Sequence, residues 1–140
     1  MFILDTNVLS AMMRLQLEPE VADWVAGQPA ESLYTTSLSQ AEILSGLAIM
    51  PDGRRRRDLE AAARAMFLED FDGRVLSFDT KAAAAYAGIF ASCRRAGRPV
   101  ATVDLMIASI ARSHGASVVT RDTSGFEGCG LALIDPWEAP

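Results

Sequence analysis

Hydrophobic and polar positions along this chain switch between two periods. Short, mostly apolar runs have the length of buried strands: Phe2–Leu4, Leu33–Thr35, Val75–Phe78, Ser117–Thr120 and Leu131–Ile134. Between them, apolar residues recur every three or four positions, as on one face of a helix. Thr6 is placed to cap a first helix through Val8, Met12 and Met13, and Pro19 opens a second that carries Val21, Trp24 and Val25 and stops near Gly27 and Pro29. Ser37, with Gln40 three residues on, reads as a capping box ahead of an apolar face of Ile43, Leu44, Leu47 and Ala48. Pro51, Asp52 and Gly53 break that helix, and an alanine-rich one over Asp58–Phe71 follows, ended by Gly73. Asp79 caps a long helix over Thr80–Ala96, which Gly97 and Pro99 terminate. The last spans Val103–Ser113, with Met106, Ile107 and Ile110 spaced for burial and Gly115 as a natural stop.

Strands separated by helical stretches, without hairpin signals, imply a parallel sheet covered on both faces. The expected fold class is α/β, a three-layer α/β/α arrangement. No repeat, linker or low-complexity tract divides the chain, so residues 1–140 are expected to form a single domain.

Composition narrows the chemistry. A net charge of −5 argues against a surface that coats nucleic acid everywhere, though not against a local basic patch. No apolar run approaches bilayer length, and Asp5 interrupts the only apolar start, so neither a membrane span nor a secretory signal is expected. Cys93 and Cys129 have no zinc-like spacing, and the expected location is a reducing cytoplasm. One histidine, His114, rules out a ribonuclease built on paired histidines, and its position before Gly115 suits a helix C-cap. No GxxxxGK loop is present, and Gly125, Gly128 and Gly130 do not follow a strand in dinucleotide-binding order.

The acids are more informative. Phe2–Leu4 runs into Asp5, and in parallel sheets ligand chemistry collects just beyond the carboxyl ends of strands. Glu42, Asp104 and Asp122 occupy comparable positions further along. Each has an ordinary reading: Asp5 as a cap, Glu42 as an exposed helix residue, Asp104 as a favourable first-turn charge, Asp122 as a turn former or partner of Arg121. Asp5 and Asp122 share one edge of the sheet if their strands are parallel neighbours. Whether Asp104 joins them depends on how its helix is connected. If the acids converge, each like-charged pair at about 4 Å costs roughly 4 kcal/mol at an effective dielectric of about 20. Such a cluster needs protons or a hard cation. Oxygen donors alone suit Mg²⁺ or Mn²⁺, and carboxylate-held ions of this kind commonly serve phosphoryl chemistry.

The segments Ile3-Leu4-Asp5-Thr6-Asn7, Ala41-Glu42, Val103-Asp104 through Ile107-Ala108, and Val119-Thr120-Arg121-Asp122 resemble the motifs of PIN-domain nucleases. The match is closest to VapC/FitB-type toxins of type II toxin–antitoxin operons, and it covers essentially the whole chain in order and spacing. The resemblance implies a metal-dependent endoribonuclease that uses Mg²⁺ or Mn²⁺, acts on RNA, is inhibited by a cognate antitoxin and forms a homodimer. It also implies that Asp5, Glu42, Asp104 and Asp122 converge in one pocket as the family's acidic quartet. Asp5 and Asp104 would be the surest metal ligands, with Glu42 and Asp122 completing the site directly or through water. Thr6, Asn7 and Thr120 match polar positions that hold a carboxylate or water in place. In this family the early helices help form the groove that receives the antitoxin.

Remaining cations have competing readings. Arg54, Arg55, Arg56 and Arg57 are candidates to grip RNA phosphates or an acidic partner, or form a solvated cluster; Arg121 is a further candidate contact. Two alternative functions stand beside the nuclease. One is an aspartyl-phosphate enzyme using Asp5, disfavoured because Asn7 replaces the second acid of a DxD pair. The other is a non-catalytic RNA- or protein-binding module that retains the quartet as a remnant.

Overall fold

In the computed structural model, which describes residues 1–14 and 18–138, five parallel strands form one sheet. They are β1 (Phe2–Leu4), β2 (Leu33–Thr36), β3 (Val75–Leu76), β4 (Ser117–Val119) and β5 (Leu133–Ile134), in the spatial order β3-β2-β1-β4-β5. Central β1 sets Ile3 opposite Tyr34 on one side and Val118 on the other. The chain adds β2 and β3 outward on one side of β1, then crosses over to begin β4 on the other. Strand order therefore reverses between β1 and β4, and the crevice at such a reversal is where α/β sheets bind ligands.

Helices α1 (Thr6–Met13), α2 (Pro19–Ala26), α3 (Ser37–Ala48), α4 (Arg54–Ala65), α5 (Thr80–Arg95) and α6 (Thr102–Ser113) cover the sheet. Successive strand side chains point to opposite faces, which creates two cores. Ile3 and Val118 pack with Ile89 of α5 and Ile107 and Ile110 of α6. Leu4 and Val119 pack with Val8, Leu9, Val21, Ile43 and Phe67 from the α1–α4 side. Both faces are buried, so the strands read as short apolar runs rather than as alternating ones. The expected three-layer α/β/α architecture is the one observed. No helix among the described residues is long and apolar enough to cross a membrane.

Local details depart from the sequence reading. Of the two caps the sequence offered for α1, Asp5 and Thr6, Asp5 is the one used, its carboxylate accepting the Thr6 N–H. Thr36 rather than Ser37 caps α3, because Thr36 is the last residue with extended backbone and its hydroxyl accepts the Ser39 N–H at 3.1 Å. Leu44 is 48% exposed and Ala48 is exposed, so the buried stripe of α3 is Ile43 and Leu47. The alanine-rich helix begins at Arg54, four residues before Asp58, which puts the arginine run inside its first turn. Cations there oppose the macrodipole. Arg56 offsets this by pairing with Asp52 at 3.2 Å and Glu60 at 2.6 Å and donating to the Met50 carbonyl at 3.0 Å. A π-turn over Met66–Asp70 then carries the chain round to bury Phe71. β3 and β5 are shorter than expected, and the excess residues belong to loops.

Ile110 is fully buried between α6 and the sheet. Ile110→Ala is expected to cost about 2–5 kcal/mol. In urea unfolding the midpoint should fall without a change in slope. A loss below ~0.5 kcal/mol would mean that this face is not the close-packed core described.

Candidate active site

Asp5 leaves β1 with its N–H donated to the Val119 carbonyl at 2.9 Å, which fixes it beside the end of β4. Its side chain is only 6% exposed. Oδ1 accepts the Thr6 N–H at 2.8 Å and Oδ2 accepts the Thr120 hydroxyl at 2.9 Å. The Thr120 oxygen in turn accepts from Asn7 Nδ2 and from the Asp122 N–H, both at 3.1 Å. With two donors arriving at that oxygen, its single proton is committed to Asp5. Asn7 Oδ1 accepts the Arg121 N–H at 3.1 Å, which fixes the way the amide faces. Thr6, Asn7 and Thr120 thus tie the ends of β1 and β4 together around one carboxylate.

The other three acids approach from separate elements. Glu42, exposed on α3, accepts the Thr6 hydroxyl at 2.8 Å. Asp122 lies just past β4 and caps a short 3₁₀ turn, Thr123–Phe126; its Oδ1 accepts the Gly125 N–H at 3.2 Å and the Ser124 hydroxyl at 3.0 Å. Asp104 sits in the first turn of α6. Gly125 reveals how close Asp104 and Asp122 come. A Cβ added there would lie 2.6 Å from Asp122 Oδ2 and 3.4 Å from Asp104 Oδ2. Both carboxylates front the same bare glycine, and a side chain would fill the space between them.

Electrostatics report the same crowding. The Asp104 carboxyl is pushed up to about 6, by burial first and then by Asp5, Asp122 and Glu42. Asp5 is also raised, by burial above all and further by Glu42 and Asp122, against the lowering effect of its bonds from Thr6 and Thr120. Among the described residues, no arginine, lysine or histidine forms an ion pair with any of the four acids. Nor do three of them already stand close enough together to hold a metal ion as they are. Uncompensated carboxylates repel one another, so some separation is expected when nothing positive lies between them. The all-oxygen donor set and the open space at Gly125 suit a hard divalent cation.

The arginines divide by role. Arg121 lays its guanidinium over the Trp137 ring, 4.7 Å from the centroid, rather than pairing with Asp122. Arg56 is engaged within the chain as described above, and Arg57 is exposed. Arg54 is 3.9 Å from Asp58, a pair too exposed to contribute much. Arg54 and Arg55 line a groove of about 1090 Å³ between α1, α3 and α4 that also reaches Thr6 and Glu42. His114 is the C-cap of α6. Sequence reasoning missed Ser124 and Gly125 as supports of Asp122. Their signal was available, since Asp-Thr-Ser-Gly after an apolar strand is a side-chain-capped turn.

The PIN domain family matches residues 2–128 of this chain. The chain belongs to that family. Among curated relatives, this PIN domain is 44% identical to the plasmid stability protein StbB of Pseudomonas syringae pv. tomato, over 99% of this chain and 100% of the relative. It is 40% identical to the VapC ribonuclease Y4jK of Sinorhizobium fredii, over 99% of each chain. It is 34% identical to toxin FitB of Neisseria gonorrhoeae, over 98% of this chain and 99% of the relative. The crystal structure of FitAcB from Neisseria gonorrhoeae matches the PIN domain at a TM-score of 0.88 and 32% identity, covering 99% of this chain and 100% of that one. The resemblance to VapC/FitB-type toxins read from the motifs is thereby supported across the whole chain.

Proposed function

We propose that the chain is a Mg²⁺- or Mn²⁺-dependent endoribonuclease, the toxin of a type II toxin–antitoxin module, that hydrolyses RNA phosphodiester bonds at Asp5, Glu42, Asp104 and Asp122. The observation that carries this reading is the approach of four acids from separate elements toward the strand-order reversal, with no arginine, lysine or histidine among the described residues ion-paired to any of them. Similarity to a VapC ribonuclease and to toxin FitB supports the reaction and the module.

Asp5 and Asp104 are the principal ligands, with Asp122 and Glu42 completing the set. A bound divalent cation supplies a polarised phosphate oxygen and a more acidic water. The protein supplies the rest. Thr120 turns its proton to Asp5 and keeps that carboxylate's orientation fixed, and Thr6 does the same for Glu42. The Gly125 and Ser124 donors hold Asp122 by one oxygen, leaving Oδ2 turned toward Asp104. Arg54 and Arg55, on the far wall of the groove that reaches Glu42, are suited to RNA phosphates.

The same groove has an apolar floor that includes Met13, Ile43, Leu47 and Leu59, suited to a segment of the cognate antitoxin. On α5, Phe90 is 45% exposed and stacks on Tyr86 with centroids 6.2 Å apart, an apolar face suited to a second copy of the chain in a homodimer. Residues 1–140 act as one folded unit in the cytoplasm.

Incubation with RNA tests the reading. Cleavage should vanish in EDTA and return with Mn²⁺ or Mg²⁺. Cleavage that persists in EDTA, or a folded protein that binds no Mn²⁺ in a titration, would remove the basis for it.

A further inference from the structure

On the α5–α6 side of the sheet, the end of α5 hooks back and gathers two arginines. Gly97 has φ +66°, a conformation that side chains disfavour. Its N–H donates to the Arg94 carbonyl at 3.1 Å, and the Arg98 N–H donates to the Cys93 carbonyl at 2.9 Å. Through this hook Arg94 and Arg98 both line a cavity of about 400 Å³ whose apolar walls include Phe90, Cys93, Val100 and Leu105. Cations at a helix C-terminus are electrostatically welcome, which accounts for Arg94 and Arg95 in the last turn of α5. It does not account for Arg98, beyond the helix, facing the same cavity.

The cavity abuts two elements of the acidic site. Leu105 follows Asp104 in α6. The stem of Arg98 crosses the segment after the turn that Asp122 caps: a Cβ on Gly128 would meet Arg98 Cδ at 3.3 Å, and the guanidinium lies 3.5 Å from Glu127. That ion pair is open to water, with side chains 52% and 63% exposed, so it holds Arg98 only weakly. Arg94 is exposed and forms no ion pair among the described residues. In a chain of net charge −5, two such guanidiniums over an apolar pocket suit a ligand that is both anionic and flat-faced. A volume at the low end of the range for small-ligand sites, about 300–1,000 Å³, fits one nucleotide rather than a peptide helix. We propose that this cavity is a subsite for one nucleotide of single-stranded RNA, with Arg94 and Arg98 on its phosphate and its base against Val100 and Leu105. Phe90 walls the subsite toward the face assigned to a second copy. The assignment rests on RNA being the substrate. It places a second contact with the strand across the sheet from Arg54 and Arg55.

Fluorescence anisotropy of a labelled short single-stranded RNA, in EDTA so that no metal-dependent cleavage enters, reads the binding. One phosphate contact adds about 0.7 to the slope of log affinity against log salt, or about fivefold at about 0.1 M salt. Arg94→Ala and Arg98→Ala should each lose about fivefold in affinity and flatten the slope by about 0.7. Arg95→Ala, at the same helix end but outside the cavity, should change neither. Glu127→Gln removes the carboxylate that competes for Arg98 and should tighten binding a few-fold, a gain that damage to the fold would not produce. Adenosine monophosphate should displace the RNA better than inorganic phosphate, because only it offers a base. Unaltered affinity in the Arg94 and Arg98 variants, an equal loss in Arg95→Ala, no binding by the unaltered protein, or phosphate competing as well as the nucleotide would each overturn the proposal. So would variants that keep their RNA affinity but lose a dimer in sedimentation, since the arginines would then serve a contact between chains. Failure of the nuclease reading is distinguishable: RNA held through these arginines in EDTA but left uncut in Mn²⁺ would defeat the reaction and leave the binding site standing.

Discussion

Asp5→Asn is expected to lower RNA cleavage by on the order of a thousandfold while the protein remains folded. The charge lost is the best-buried one of the four, and the one anchored to both strands flanking the crevice. Asparagine keeps the shape but not the hydrogen bonding. Oδ1 and Oδ2 both accept now, from the Thr6 N–H and the Thr120 hydroxyl. An amide can accept at only one of these places and offers N–H at the other. Thr120 cannot absorb that extra donor, since its oxygen already accepts from Asn7 and Asp122. One mismatched bond costs about 1–3 kcal/mol, and removing a buried charge from among three others offsets it. Initial cleavage rates in Mn²⁺, with the unfolding temperature measured alongside, separate the two effects. Retention of more than about a tenth of the activity in a folded variant would take Asp5 out of the reaction.

The protein without added metal should lose stability as pH rises from about 4 to about 6. Asp104 has a folded-state value of about 6 against 3.8 for the free side chain. In that window the native state therefore binds more protons than the unfolded chain, and stability falls with rising pH. Asp5 is shifted in the same direction and adds to the slope. A shift of about two units corresponds to roughly 3 kcal/mol. Asp104 is partly open to water, which reduces its share to about 1–2 kcal/mol. Asp104→Asn should flatten the profile and make the metal-free protein more stable at pH 7, while abolishing the gain in stability that Mn²⁺ gives the unaltered protein. Stability up and activity down in a single substitution is the signature of a functional charge cluster. Thermal unfolding in EDTA across this pH range, repeated with Mn²⁺, reads both effects. A flat or rising profile for the unaltered protein would mean that the acids are already balanced by groups of the chain.

The sequence was most legible where the physics is local. Runs such as Phe2–Leu4 and Val118-Val119 identify strands because both faces of the sheet are buried and no polar alternation interrupts them. Asp79 was read correctly as a cap, its carboxylate accepting the Ala82 N–H at 2.9 Å. At Thr36 the reading slipped by one residue, and at α1 it left Asp5 and Thr6 both open, because adjacent Thr, Ser and Asp are all competent caps and only backbone dihedrals choose among them. The start of α4 was placed four residues late, at Asp58 rather than Arg54, whereas the Arg56 pairs hold the first turn together.

By itself, the sequence determined the alternation of strands and helices, the parallel three-layer fold, and the presence of four acids, three near element ends and Glu42 within a helix, in the order of a known family. Those features follow from periodicity, caps and motif spacing, which are properties of neighbouring residues. The tertiary structure alone decided that β4 pairs with β1, which brings Asp122 and Thr120 to Asp5 from more than a hundred residues away. It also decided that Asp104 meets Asp122 over Gly125 and that Arg121 turns to Trp137. Each of these depends on which strand lies beside which, and that choice is made by burying whole faces rather than by any residue's local preference.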